Sequence, residues 1–252
     1  MTEGPNAPLE IGFASGELTL KGYLFTPPGP GPHPCVINNH SSHLRPGGGE
    51  VSRPGLAATL TGWGYAFFFP HRRGYGNSPG IPVRDAIPAP LGSADYDAQI
   101  CRRLDDERDD VLAAVAAVRG RPEIDARRVA VSGSSRGGIV SLLVAAADGG
   151  LRGAANFCGG ARQWADHPKL RAMMLDAAAR LECPIFLAQA ENDFNSAATL
   201  ELAGELERLG KPHECRVYPP WGASPAEGHL FEVTGAAVWG PDLRAFLARH
   251  MA

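Results

Sequence analysis

The 252-residue chain predicts an α/β protein built on a mostly parallel, twisted sheet with helices on both faces. Three observations carry this expectation. Short apolar runs alternate with longer helix-like stretches along most of the chain. One of those runs, Val129 to Val131, drives straight into Gly133-Ser134-Ser135-Arg136-Gly137 and then into a helix-like stretch. The exception lies at the start, where alternating stretches at 9 to 14 and 17 to 25, split by Ser15-Gly16, read as an antiparallel edge hairpin.

The elements follow in order. A buried strand at Cys35 to Asn39 precedes a helix near 51 to 62 and the aromatic strand Tyr65 to Phe69. Residues 78 to 94 are rich in Pro and Gly and read as a loop. A long amphipathic helix spans about Asp97 to Arg119, with the charged cluster Arg102 to Asp110 expected on its solvated face. After the Gly133 to Gly137 turn come a helix to Ala147, a strand Gly153 to Cys158, and a segment at 159 to 182. The strand Pro184 to Ala188, a helix at roughly 196 to 209 and the strand His213 to Tyr218 follow. A loop of turn formers, Pro219 to Gly228, then delivers His229 just before a last apolar helix. No internal repeat or linker divides the chain, so 1–252 reads as a single domain.

The turn at Ser135 is where the chemistry concentrates. A serine hydroxyl is a poor nucleophile unless it is presented to a base and to an oxyanion hole. A sharp strand-to-helix turn pushes Oγ out of the sheet, and glycines two before and two after leave room for the strain. Ser132 and Ser134 lie nearby, but only Ser135 has glycine in both flanking second positions. The partners of such a serine follow in the order acid, then histidine. Asp193 lies just past the 184–188 strand in Glu191-Asn192-Asp193, with Glu191 as the competing acid, and His229 closes the turn-rich loop. His213 opens a strand and His250 sits in the C-terminal helix, so both are poorer bases.

With the elbow, the END and EGH segments and the stretch His71-Arg72-Arg73-Gly74-Tyr75-Gly76-Asn77-Ser78 in view, the chain resembles an α/β-hydrolase. Within that superfamily it is similar to the dienelactone hydrolase and prolyl-oligopeptidase-like group, from about residue 9 to the C-terminus. The resemblance implies about eight strands, a short lid at about 159–182, and a serine hydrolase with Ser135, Asp193 and His229 as its triad. It places the oxyanion loop at His40-Ser41-Ser42-His43, so the backbone N–H groups of Ser42 (or Ser41) and Arg136 are the implied oxyanion donors. The serine hydroxyls of that loop either add a donor or cap the following turn. Dienelactone hydrolases proper use cysteine where this chain has Ser135, so activity on dienelactone does not carry over. The loop also has serine where glycine is common in the group.

His40 and His71 follow strands that are neighbours in the group's strand order, and His43 is close in sequence. The three could hold zinc, or they hydrogen-bond loop backbone, which is the expectation here. No metal or cofactor is expected. The candidate substrate contacts are His40, Arg72, Tyr75, Trp164 and Trp221, with His167, Met173 and Phe194 as further pocket candidates. Arg72, Arg73 and Arg136 either fork a substrate carboxylate or pair with Asp106, Asp109 or Asp110.

Composition bounds the partners. A net charge of −3, with 20% charged residues, leaves no electrostatic footprint for nucleic acid or an anionic membrane. Cys35, Cys101, Cys158, Cys183 and Cys215 lack a pairing pattern and read as small buried hydrophobes of a reducing compartment. Met1 to Pro8 has neither the basic start nor the apolar core of a signal peptide, and no apolar run reaches membrane-span length, so a cytoplasmic location is expected. The functional expectation is a hydrolase of small esters or lactones. Peptidase or amidase, thioesterase, acyltransferase and non-catalytic ligand-binding relative stand as alternatives.

Overall fold

Side chains alternate across each strand, and here that alternation divides the interior into two cores. The computed structural model describes residues 7–44 and 52–252. Its strands are β1 (Leu9–Ser15), β2 (Leu18–Phe25), β3 (His33–Asn39), β4 (Ala66–Pro70), β5 (Ile124–Ser134), β6 (Gly153–Phe157), β7 (Ile185–Ala190) and β8 (His213–Tyr218). They form one eight-stranded sheet in the order β1-β2-β4-β3-β5-β6-β7-β8. β1 and β2 pair antiparallel, β2 meets β4 antiparallel, and every later pairing is parallel. The edge hairpin turns at Gly16, whose φ of 58° suits glycine.

The helices are α1 (Pro54–Gly62), α2 (Val83–Ala86), α3 (Ala94–Arg119), α4 (Arg136–Ala145), α5 (Pro168–Arg180), α6 (Ala197–Arg208), α7 (Pro225–His229), α8 (Phe231–Thr234) and α9 (Ala236–His250). Cys35 and Ile37 of β3 face a core with Leu104 of α3, Val140 of α4, Met174 of α5 and Leu202 of α6. Val36, between them, faces the opposite core with Leu60 of α1 and Trp239 and Phe246 of α9. The sheet is thus covered on both faces, as a parallel sheet requires. Among the described residues, no helix is long and apolar enough to cross a membrane.

Three local expectations need correction. The expected loop at 78–94 holds the one-turn helix α2, and α3 begins earlier than expected, because the Ser93 hydroxyl caps it by accepting from the Tyr96 amide at 3.1 Å. His229 is not on a loop but is the last residue of α7. Ser224-Pro225-Ala226-Glu227 starts that helix as a capping box: the Ser224 hydroxyl accepts from the Glu227 amide and donates to the Glu227 carboxylate. Third, the charged stretch of α3 is not wholly solvated. Arg103, Glu107 and Asp110 are buried, while Arg102, Asp106 and Asp109 face outward. The inward row is polar because arginines from the 71–78 loop meet it there. Of the helix expected near 51 to 62, position 51 lies outside the described residues, as do the first six residues of the chain.

Candidate active site

Strand order reverses at β3, which lies between β4 and β5, and a crevice at the carboxyl ends of the strands is the usual result. The loops after β3, β4, β5, β6 and β7 all open at that edge. Ser135 joins β5 to α4 with φ 54° and ψ −121°, a conformation that costs about 1–3 kcal/mol for a residue other than glycine. The flanking glycines make the turn possible through space. A Cβ on Gly133 would lie 2.5 Å from the Gly137 carbonyl oxygen, and one on Gly137 would lie 1.9 Å from the Asn39 oxygen. The Ser135 amide is held by the Phe157 carbonyl at 2.8 Å.

His229 Nε2 lies 2.9 Å from Ser135 Oγ, and its Nδ1 lies 2.8 Å from Asp193 Oδ1. All three groups thus lie in one line. With Nδ1–H donating to the carboxylate, Nε2 is left as the acceptor facing the serine hydroxyl. Asp193 is further fixed by the Phe194 amide, which donates to Oδ1 at 2.6 Å. Glu191, the competing acid, is exposed, and its amide bonds the Tyr218 carbonyl instead.

Asn192 carries no signal of its own in the sequence, although it stands beside the acid. Its side chain donates to the carbonyls of Trp221 and Ser224 at 3.0 and 3.2 Å, and accepts from the Trp221 amide at 2.8 Å. It therefore ties the acid turn to the segment that leads into α7. A Cβ on Gly228 would fall 2.7 Å from Asn192 Oδ1, so the glycine of EGH lets these two turns meet. The END and EGH segments are the signal that could have pointed to it.

Cys158 follows β6 behind the acid, and its Sγ lies 3.8 Å from the His229 carbonyl oxygen. Burial first, and the Asp193 charge second, push its thiol well above the usual range. It therefore stays protonated and is no rival nucleophile. All five cysteines are free.

A cavity of about 220 Å³ opens beside Ser135 and His229, lined also by Ser42, Arg136, Tyr96, Ile100, Leu104, Ile139 and Arg162. The five candidate substrate contacts lie elsewhere. His40 and Tyr75 are buried beneath the loop, with ring centroids 4.6 Å apart, and Trp164 is buried in the first core. Trp221 lines a separate surface hollow with Leu230 and Thr234. Arg72 is fully buried on Glu107 at 3.0 Å. Arg73 pairs with Asp110 and Asp106, and Arg136 with Glu107, so the carboxylates that meet these arginines belong to the protein. Of the other pocket candidates, His167 is buried with Nδ1 against the Gln163 carbonyl, and Met173 packs on the core. Phe194 is half-exposed, its ring 5.3 Å from that of His229 and 4.6 Å from the Arg162 guanidinium.

Of the three histidines expected to bond loop backbone, His40 and His71 do so, while the His43 ring meets the Ser41 hydroxyl, with Nδ1 3.2 Å from Oγ. The Arg72 amide donates to His40 Nε2 at 3.2 Å, so Nδ1 carries the proton and donates to the Ser41 carbonyl at 2.7 Å. Burial, followed by the Arg72 charge, holds His40 well below the usual imidazole range, so the ring is neutral. His71 Nδ1 accepts from the Asn77 amide at 2.9 Å. Ser41 Oγ accepts from the His43 amide, the turn-capping role. Because the ring nitrogens of His40 are committed to backbone, a chelator such as EDTA is expected to leave ester turnover unchanged. Loss of turnover that stoichiometric zinc restores would contradict this.

The chain is similar in fold to the acylaminoacyl peptidase of Pyrococcus horikoshii (TM-score 0.72, 16% identity), covering 99% of this chain and 42% of that one. A putative dienelactone hydrolase of Klebsiella pneumoniae aligns at TM-score 0.68 and 20% identity over 97% of this chain and 99% of that one. An esterase of Pyrococcus furiosus aligns at TM-score 0.70 and 16% identity, over 98% and 92%. The chain thus spans about two fifths of the peptidase and nearly all of the other two. A search of curated proteins gives no match. The sequence profile of the dienelactone hydrolase family matches residues 20–226, from β2 through the elbow and the acid turn into α7. With most of its length inside that match, on an α/β-hydrolase sheet, the chain belongs to the dienelactone hydrolase family.

Proposed function

We propose that the protein is a serine hydrolase that cleaves small carboxylic esters or lactones through an acyl-enzyme on Ser135. The observation that carries this reading is the unbroken line from Ser135 Oγ through the His229 ring to Asp193, at 2.9 and 2.8 Å. In this reading the Ser135 proton passes to His229 Nε2 as Oγ attacks the carbonyl carbon. The amides of Ser42 and Arg136 receive the oxyanion; Arg136 is the first residue of α4, where helix N–H groups lack intrahelical acceptors. His229 returns the proton to the leaving alkoxide, Asp193 stabilises the imidazolium in between, and water releases the acid by the reverse sequence. The cavity of about 220 Å³, lined by Ile100, Leu104 and Ile139 and also by Tyr96, Arg162 and Gln163, suits a short group better than a large one.

Pre-steady-state kinetics with p-nitrophenyl acetate, compared with the matching anilide, tests this. A stoichiometric burst followed by turnover on the ester is expected, with much slower anilide cleavage. A burst without turnover would indicate acyl transfer, faster anilide cleavage an amidase, and no burst a ligand-binding relative.

A further inference from the structure

A buried polar cluster outside the triad gathers three guanidinium groups around one carboxylate. Glu107 of α3 is fully buried. Its Oε1 accepts from Arg103 Nε at 2.8 Å and Arg136 Nε at 3.1 Å; its Oε2 accepts from Arg72 Nε and Arg136 Nε, both at 3.0 Å. Arg72, itself fully buried, reaches onward: its Nη2 donates to the His40 carbonyl at 2.7 Å, and its amide donates to the His40 ring. His40 leads directly into Ser41-Ser42. The path Arg136–Glu107–Arg72–His40 therefore connects the residue after the nucleophile to the base of the loop after β3. Those are the two segments to which the proposed function assigns the oxyanion amides.

We infer that Glu107 and Arg72 are positioning residues that set the spacing of the two oxyanion donors, an inference that rests on the serine hydrolase reading. A buried ion cluster is weak evidence for stability alone, since well-packed apolar groups often serve a fold as well. Holding two backbone amides at a fixed separation is a task for which this geometry is suited, because preorganised donors lose their effect when displaced by about 1 Å.

The third arm supplies the control. Arg103 shares the Glu107 carboxylate, but its other donors go to the carbonyls of Ile81 and Arg73, so it touches neither oxyanion segment. The test compares Arg72→Met with Arg103→Met, by kcat and KM on p-nitrophenyl acetate, by affinity for a phenylboronic acid, and by thermal melting. Both variants are expected to melt earlier. Arg72→Met should lower kcat about 10- to 100-fold, short of the roughly 10²–10³ for losing a donor outright, with KM nearly unchanged and boronate affinity falling in parallel. Arg103→Met should keep kcat and boronate affinity within about threefold of wild type, since no donor moves. If Arg72→Met fails to fold, Arg72→Lys replaces it: a lysine cannot fork to Glu107 and the His40 carbonyl together, and should show the same split. Equal kcat losses in the Arg72 and Arg103 variants, or wild-type boronate affinity in the Arg72 variant, would overturn the inference. A wild-type protein that neither turns over the ester nor binds the boronate would instead count against the serine hydrolase reading.

Discussion

Ser135→Ala is expected to lower ester kcat by roughly 10⁶-fold while leaving the melting temperature close to that of wild type. The loss is large because nucleophile and base act as a unit: without Oγ there is no acyl-enzyme for His229 to serve. The fold should survive, because alanine at φ 54° suffers no more backbone strain than serine does and the flanking glycines are untouched. Ser134→Ala is the control, since Ser134 ends β5 with its side chain buried and is expected to keep most activity. Steady-state kinetics and thermal melts on the purified variants read both outcomes, and comparable loss in the two would contradict the assignment.

The acid and base come next in size. His229→Ala should approach the Ser135 loss, and Asp193→Asn should cost roughly 10⁴-fold in kcat. The aspartate fixes which ring nitrogen carries the proton. An asparagine that turns its amide N–H toward Nδ1 would leave Nδ1 as the acceptor and put the proton on Nε2, facing Oγ, where no base remains. Glu191→Gln is expected to behave as wild type, because that carboxylate is exposed and makes no bond to His229. A Glu191→Gln loss exceeding that of Asp193→Asn would reassign the acid.

What the sequence made legible is tied to short-range geometry. The edge hairpin, the strand and helix alternation and the elbow each follow from local rules: period-two burial, a left-handed Gly16, and glycines whose missing Cβ atoms admit a backbone oxygen. The line from Asp193 to His229 was readable because Asp193 stands just past a predicted strand and His229 just before a predicted helix, in the order the elbow demands. Position within an element was less legible. The capping box at Ser224 to Glu227 puts His229 at the end of a helix, and that S-x-x-E signal was present in the chain.

The inward face of α3 was not legible, for a different reason. Arg103, Glu107 and Asp110 have the composition of a solvated face, and the partners that make burial tolerable are distant in the chain: Arg72 and Arg73 over thirty positions earlier, and Arg136 well beyond. Burial works to raise Glu107, but the neighbouring Arg136, Arg72 and Arg103 outweigh it and hold the carboxyl at about 2. Substrate contacts were illegible for the converse reason: an aromatic side chain fits a core as readily as a pocket. Tyr75 and Trp164 went to the interior, and the cavity beside Ser135 is lined instead by Tyr96, Ile100, Leu104 and Ile139 together with Arg162 and Gln163.

Whether Ser135 forms the covalent bond can be read by mapping the adduct of a fluorophosphonate probe. Trypsin cleavage after Arg128 and Arg136 releases Val129 to Arg136, a peptide that carries Ser132, Ser134 and Ser135 together. Fragmentation in the mass spectrometer separates the three. One phosphonate per chain is expected, on Ser135, and none in Ser135→Ala. An adduct on Ser132 or Ser134, or labelling that persists undiminished in Ser135→Ala, would contradict it.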